Sequence, residues 1–175
     1  MHFKVAYMAL DPVVFDSLNR QITNERSNSA MYWALANRLD FSNLVGMATH
    51  MRAASLDETT HAQKFTDYLI DRGAFPTVEV VPAAIPPDAP MLKIGTLCFA
   101  AALQREMQTT EQIKTLHDIA EQADDPQTCQ FLLWFLEEQT QSEREYTELV
   151  ARLQLAEGCA AAVLAMDHEL AEGER

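Results

Sequence analysis

Few residues in this chain break helices: five glycines and seven prolines among 175 residues. They are also sorted, with prolines at 12, 76, 82, 86, 87, 90 and 126 and glycines at 46, 73, 95, 158 and 173. Four long stretches are therefore almost free of both. Aromatic residues make up only 8% while hydrophobic residues make up 48%, and Ala, Leu, Gln and Glu are plentiful. That balance favours helices over a β sandwich. The three cysteines, Cys98, Cys129 and Cys159, are far apart and form no C-x-x-C pair, which speaks against a zinc knuckle. Free thiols in a reducing cytoplasm are the expectation. Positive charge is scarce as well. Lys and Arg number 13 against 26 Asp and Glu, a formal net charge of −13. A surface this acidic disfavours nucleic acid and anionic membrane as partners and favours cations. No apolar run approaches the length of a membrane span, and the first ten residues are too short for a secretory leader. A cytoplasmic protein is expected.

Between the breakers the chain predicts an all-α, four-helix bundle as a single domain over 1–175, with residues 1–10 as an N-terminal extension. Asp11-Pro12 is a cap followed by Pro at the first helical position, opening a helix over about 12–39. Ser42 or Asn43 can cap a second helix over about 43–72, closed by Gly73. Residues 74–90 are long and Pro-rich. Antiparallel neighbours need only short loops, so this length predicts a crossover between parallel helices. Val78-Glu79-Val80-Val81 within it is a candidate extended segment. A third helix is expected over about 92–123, and a fourth over about 127–155 after the turn Asp124-Asp125-Pro126. Gly158 separates a short fifth helix over about 159–170.

Counting at three and four residues gives an apolar stripe on each long helix. Every stripe is interrupted near its middle by a polar residue: Glu25, Glu58, Glu106 and Gln139 in turn. Their offsets from the segment midpoints amount to roughly 3–5 Å of height at 1.5 Å per residue, so the four would meet in one small volume. Burying carboxylates there is expensive unless something compensates. Glu58 and His61, three apart, share a helix face and can serve one ion or adjacent ions. Glu-x-x-His alone is common on solvated helix faces; its convergence with Glu25 and Glu106 points to a pair of metal ions. Three carboxylates and an imidazole suit iron(II) or manganese(II), with zinc a competitor. Gln139 is either a core amide or a group holding water beside one ion. Tyr32, two turns after Glu25, is either a core aromatic or a hydrogen-bond partner of a ligating carboxylate. Trp134, Met47 and Met51 are expected in the core.

Several segments together resemble the non-haem ferritins over about residues 11–170. They are Leu18-Asn19-Arg20-Gln21-Ile22 leading to Glu25, then Tyr32, then Asp57-Glu58-Thr59-Thr60-His61. Asp67-Tyr68-Leu69-Ile70-Asp71-Arg72-Gly73 and Phe131-Leu132-Leu133-Trp134-Phe135-Leu136-Glu137-Glu138-Gln139 complete the set. The bacterial branch is the most similar. The resemblance implies that Glu25, Glu58, His61 and Glu106 ligate a ferroxidase di-iron centre, with Glu58 bridging and Gln139 and Tyr32 in support. It implies oxidation of Fe(II) by O2 or H2O2, two Fe per subunit, and storage of Fe(III) oxide inside a homo-oligomeric 24-subunit cage. The fifth helix would lie at its fourfold axes. Alternatives are a smaller di-iron carboxylate oxidase or peroxidase, and a catalytically inactive cage subunit.

Departures from family patterns matter too. A third iron site, as in some bacterial ferritins, would use Asp57 and Glu138, but Gln141 and Ser142 stand where further acids are common. Cys129 and Leu132 occupy the acidic threefold-pore positions of animal ferritins. Thr60 and Gln63 thin the nucleation patch on the second helix. Ser142, three residues after Gln139, replaces the His of haem-containing relatives, so no haem is expected.

Overall fold

The computed structural model describes residues 10–79 and 86–173. Among them are five α-helices and no strand: α1 (Pro12–Phe41), α2 (Val45–Asp71), α3 (Met91–Gln122), α4 (Pro126–Leu155) and α5 (Ala160–Gly173). The N-terminal extension before Leu10, and Val80 and Val81 of the candidate extended segment, lie outside the described residues. Val78 and Glu79 are not helical and form no strand.

Caps explain the boundaries. The Asp11 carboxylate accepts from the Val13 N–H at 2.8 Å, with Pro12 at the first helical position. Asp125 does the same for α4, accepting from the Thr128 N–H at 3.1 Å. The expected cap of α2 is corrected: Leu44 precedes the helix and makes no side-chain cap. Ser42 and Asn43 are consumed by the end of α1 instead. The Ser42 hydroxyl donates back to the Arg38 carbonyl, and Asn43 takes a left-handed φ of 59°. Leu44 N–H then reaches the Leu39 carbonyl at 3.0 Å and Asn43 N–H the Asp40 carbonyl at 2.9 Å. That pair of bonds satisfies the last carbonyls of α1. The same closure ends α2 at Gly73, with φ 75°, and α3 at Asp124, with φ 54°.

Two hairpins, α1–α2 and α3–α4, pack into one bundle. The core is split. One apolar cluster joins Val14, Leu18 and Ile22 of α1 to Phe65 and Leu69 of α2, Ile113 and Leu116 of α3, and Leu132 and Phe135 of α4. The other joins the end of α1 and start of α2 to Ile94, Cys98 and Phe99 of α3 and Leu149 and Leu153 of α4. The first cluster thus holds the later halves of both α2 and α3, and the second holds their earlier halves. These helices run parallel, which is why a long crossover joins them. Its described parts lie along α1. Asn19 and Thr77 bond reciprocally at 2.8 and 2.7 Å near the start of α1, and Arg38 holds Asp88 near its end. At 1.5 Å per residue those anchor points are about 28 Å apart. At one end of the bundle, Arg72 grips Asp125 at 3.0 Å, tying the close of α2 to the opening of α4.

α5 docks on the start of α2. There Met47 N–H donates to the Asp167 carboxylate at 2.8 Å. Gly46 permits the approach: a Cβ at that position would lie 1.7 Å from the Asp167 carbonyl oxygen and 3.0 Å from the Ala171 nitrogen. Both neighbours are backbone, so Gly46→Ala must push α5 away. Urea unfolding should show a loss of about 1–3 kcal/mol, the usual range for overpacking. Limited proteolysis should cut first within α5. Unchanged stability and unchanged cleavage would show that α5 does not depend on this contact.

Candidate metal centre

Between the two apolar clusters lies a polar layer. Glu25 of α1, Glu58 of α2, Glu106 of α3 and Gln139 of α4 are all buried, none more than 4% exposed. Their helices deliver them there because each sits on the same stripe as the apolar residues above and below it. Ligand atoms of Glu25, Glu58 and His61 lie within 4.8 Å of one another. Glu106 stands outside that trio but shares a cleft of about 160 Å³ with Glu58 and His61.

Each carboxylate is held by named partners. Gln21 donates to Glu25 Oε1 at 2.8 Å. Asn28 Nδ2 faces Glu25 Oε2 at 3.2 Å, Glu58 Oε2 at 3.4 Å and Thr109 Oγ1 at 3.0 Å. The Tyr32 hydroxyl donates to Glu106 Oε1. Gln139 Nε2 donates to Glu106 Oε2 at 3.0 Å and to its carbonyl at 3.1 Å. Thus Tyr32 and Gln139 both orient Glu106. His61 places Nδ1 3.4 Å from Glu58 Oε2 and Nε2 2.8 Å from Glu138 Oε2. Glu138 therefore stands at the Nε2 end of the imidazole, and Asp57 lines the same cleft as Glu58 and His61.

Trp134 corrects one expectation. It is 37% exposed, packs its edge against His61 at 5.8 Å, and carries the Lys64 ammonium 3.9 Å above its ring. It shields the flank of the centre rather than filling the core. Met47 and Met51 are fully buried.

Electrostatics shows the cost of this arrangement. Burial raises the Glu58 carboxyl to about 8. Burial, then the charge of Glu58, raises Glu25 well above the usual carboxylate range. Burial also raises Glu106, against the hydrogen bonds of Tyr32 and Gln139. Carboxylate oxygens of Glu25 and Glu58 lie within 4.8 Å of each other, so their charges oppose one another. Divalent cations would offset that repulsion. The donor set is rich in hard oxygens with one imidazole, a match for iron(II) or manganese(II). The Oδ1 of Asn28 adds a sign of an incomplete site: it is buried with no hydrogen-bond partner among the described residues. An orphan of this kind costs about 1–3 kcal/mol.

Sequence reasoning missed Gln21, Asn28 and Thr109, all nearly inaccessible. Their signal was present: Gln21 and Asn28 lie one turn on either side of Glu25, and Thr109 lies one turn after Glu106. A second grouping, His117, Asp118 and Glu121 on α3, is half-buried to exposed and has the character of a solvated helix face.

The raised carboxyls set a pH dependence with a definite sign. The folded chain holds protons that the unfolded chain releases above about 4.5, up to about 8 for Glu58. Stability of the metal-free protein is therefore fully present below the lower value and falls as pH rises. Each proton so held accounts for about 1.4 kcal/mol per pH unit. Urea midpoints should drop from pH 5 to pH 8, and Glu58→Gln should flatten the slope. A wild-type midpoint that climbs over that interval would contradict the assignment.

Comparison with known proteins agrees with this geometry. The model of the ferritin-like domain matches residues 15–156. The bacterial non-haem ferritin of Escherichia coli is 27% identical over 163 residues, 92% of this chain and 95% of that protein. Ferritin BfrB of Mycolicibacterium smegmatis is 34% identical over 142 residues, 81% and 76% of the two chains. Among solved structures, the open pore ferritin of the hyperthermophilic archaeon Archaeoglobus fulgidus superposes with a TM-score of 0.88. It is 28% identical, with 93% of this chain and 97% of that one covered. A bundle with a parallel crossover, a buried acidic layer between two apolar clusters, and a family match across all four long helices lead to one assignment: the chain belongs to the ferritin-like family, among the non-haem ferritins.

Proposed function

We propose that this iron-storage protein is itself a ferroxidase, which oxidises Fe(II) at a two-iron centre formed by Glu25, Glu58, His61 and Glu106. The observation that carries the reading is the trio of buried Glu25 and Glu58 with half-buried His61, with ligand atoms within 4.8 Å and carboxyls raised by burial. Such groups gain most from a cation, because it removes both the proton and the desolvation penalty. Glu58 is grouped with Glu25 and also lines the cleft with Glu106, which supports a bridging role for it. Tyr32 and Gln139 fix the Glu106 carboxylate, and a Glu138 oxygen stands 2.8 Å from His61 Nε2. Asp57 and Glu138 on the α2–α4 side supply negative charge for a weaker third position.

Iron is the substrate. Two Fe(II) each give one electron, and O2 takes both with two protons to leave H2O2; H2O2 can serve as oxidant in turn and is reduced to water. Fe(III) would then collect as oxide within a 24-subunit homo-oligomeric cage. Exposed apolar residues such as Phe41, Phe75, Leu155 and Leu164 would be covered in that assembly. We place the protein in the cytoplasm, where Cys98, Cys129 and Cys159 stay as thiols.

Anaerobic titration should load two Fe(II) per chain, and mixing with oxygen should give a fast oxidation phase. Glu58→Ala and His61→Ala should each remove that phase, by roughly 100-fold or more in rate if the ligand is essential. Assembly should persist in both, read by sedimentation as a particle near 24 times the 19.7 kDa chain. Fast oxidation that survives Glu58→Ala would overturn the site. A dimer in wild type would favour the smaller oxidase, and slow oxidation in wild type the inactive cage subunit.

A further inference from the structure

We propose that Asn28 is an additional metal ligand, which presents its amide nitrogen to the carboxylates in the empty centre and its amide oxygen to iron in the loaded one. The inference rests on the two-iron reading of the centre.

Asn28 is 1% exposed and sits one helical turn beyond Glu25, pointing at the same space. Its Nδ2 lies 3.2 Å from Glu25 Oε2 and 3.4 Å from Glu58 Oε2, the two buried carboxylates of the trio. In the metal-free centre a donor belongs there, since both neighbours are acceptors. The other end of the amide has nothing to do: Oδ1 is buried without a partner among the described residues.

A divalent cation reverses the preference. An N–H facing the ion is repelled, whereas an amide oxygen is a good ligand for hard cations. A half-turn about Cβ–Cγ exchanges the two ends of the amide and brings Oδ1 to the place Nδ2 now holds. Asn can make this exchange without changing shape, because its oxygen and nitrogen are nearly isosteric. Thr109 allows it. Its hydroxyl, 3.0 Å from Nδ2, accepts from the nitrogen in one state and can donate to the oxygen in the other. An acid at this position would add a fourth buried carboxyl to the metal-free centre. A neutral amide gives an oxygen ligand without that penalty.

The test uses Co(II), a spectroscopic probe for iron(II), titrated into the assembled protein. Asn28→Leu keeps the volume and removes both ends of the amide. Asn28→Asp keeps the oxygens and, once ionised, cannot donate. If Oδ1 is a ligand, Asn28→Leu should weaken the tightest Co(II) site about 10- to 100-fold and alter its ligand-field absorption. Asn28→Asp should retain wild-type affinity or exceed it, with absorption close to wild type. If Asn28 acts only as a hydrogen-bond donor, Asp should be as poor as Leu, and the proposal fails. It also fails if both variants bind Co(II) as wild type does. Asn28→Ala serves as a second oxygen-free variant should Asn28→Leu not assemble. Glu58→Ala in parallel separates the two levels: if it leaves Co(II) affinity intact, the centre itself has been misplaced.

Discussion

Three carboxylates buried between two apolar clusters are the constraint on which the rest of this molecule depends. Glu25, Glu58 and Glu106 interrupt a core that would otherwise run the length of the bundle. An uncompensated charge there is costly, so burial raises all three carboxyls, and amides and hydroxyls surround them. Gln21, Asn28, Tyr32 and Gln139 each touch one or two carboxylate oxygens and nothing more apolar would do. The apolar clusters above and below supply rigidity. They hold the layer at one height on all four long helices, which lets donors from separate helices act as one site.

The outer architecture follows from the same need. Donors from α2 and α3 must arrive at one level with those helices parallel, and only a long connection allows that. The crossover is fastened to α1 at Asn19 and Arg38, near the two ends of that helix. The Arg72–Asp125 pair locks one end of the bundle, and the Gly46–Asp167 contact seats α5 near the other. A small cleft bordered by Asp57, Ser142 and Glu145 opens onto the polar layer between these fastenings.

Much of this was legible in the chain, and the reasons are physical. Long stretches without Gly or Pro announced the helices, and a polar residue at the middle of each apolar stripe announced the layer. The family segments then pointed to the non-haem ferritins, and the match across residues 15–156 agrees. What escaped were features decided by contacts between distant residues. Ser42 and Asn43 look like caps for α2 by type, but the terminal carbonyls of α1 claim them first. Trp134 lies beside a stripe, and only the packing of α2 against α4 leaves it half-exposed beneath Lys64. Gly46 is ordinary in sequence and indispensable only because α5 returns 120 residues later to lie on it. Asn28 is a common helix polar residue until its neighbours on α2 and α3 are known.

Anomalous diffraction at the iron edge, from crystals loaded with Fe(II) without oxygen, tests the central claim most directly. The account predicts two iron peaks on either side of the Glu58 carboxylate, one against Glu25 and His61 and one toward Glu106. Iron found only on exposed acids such as Asp118 and Glu121, with none at Glu25 and Glu58, would contradict it.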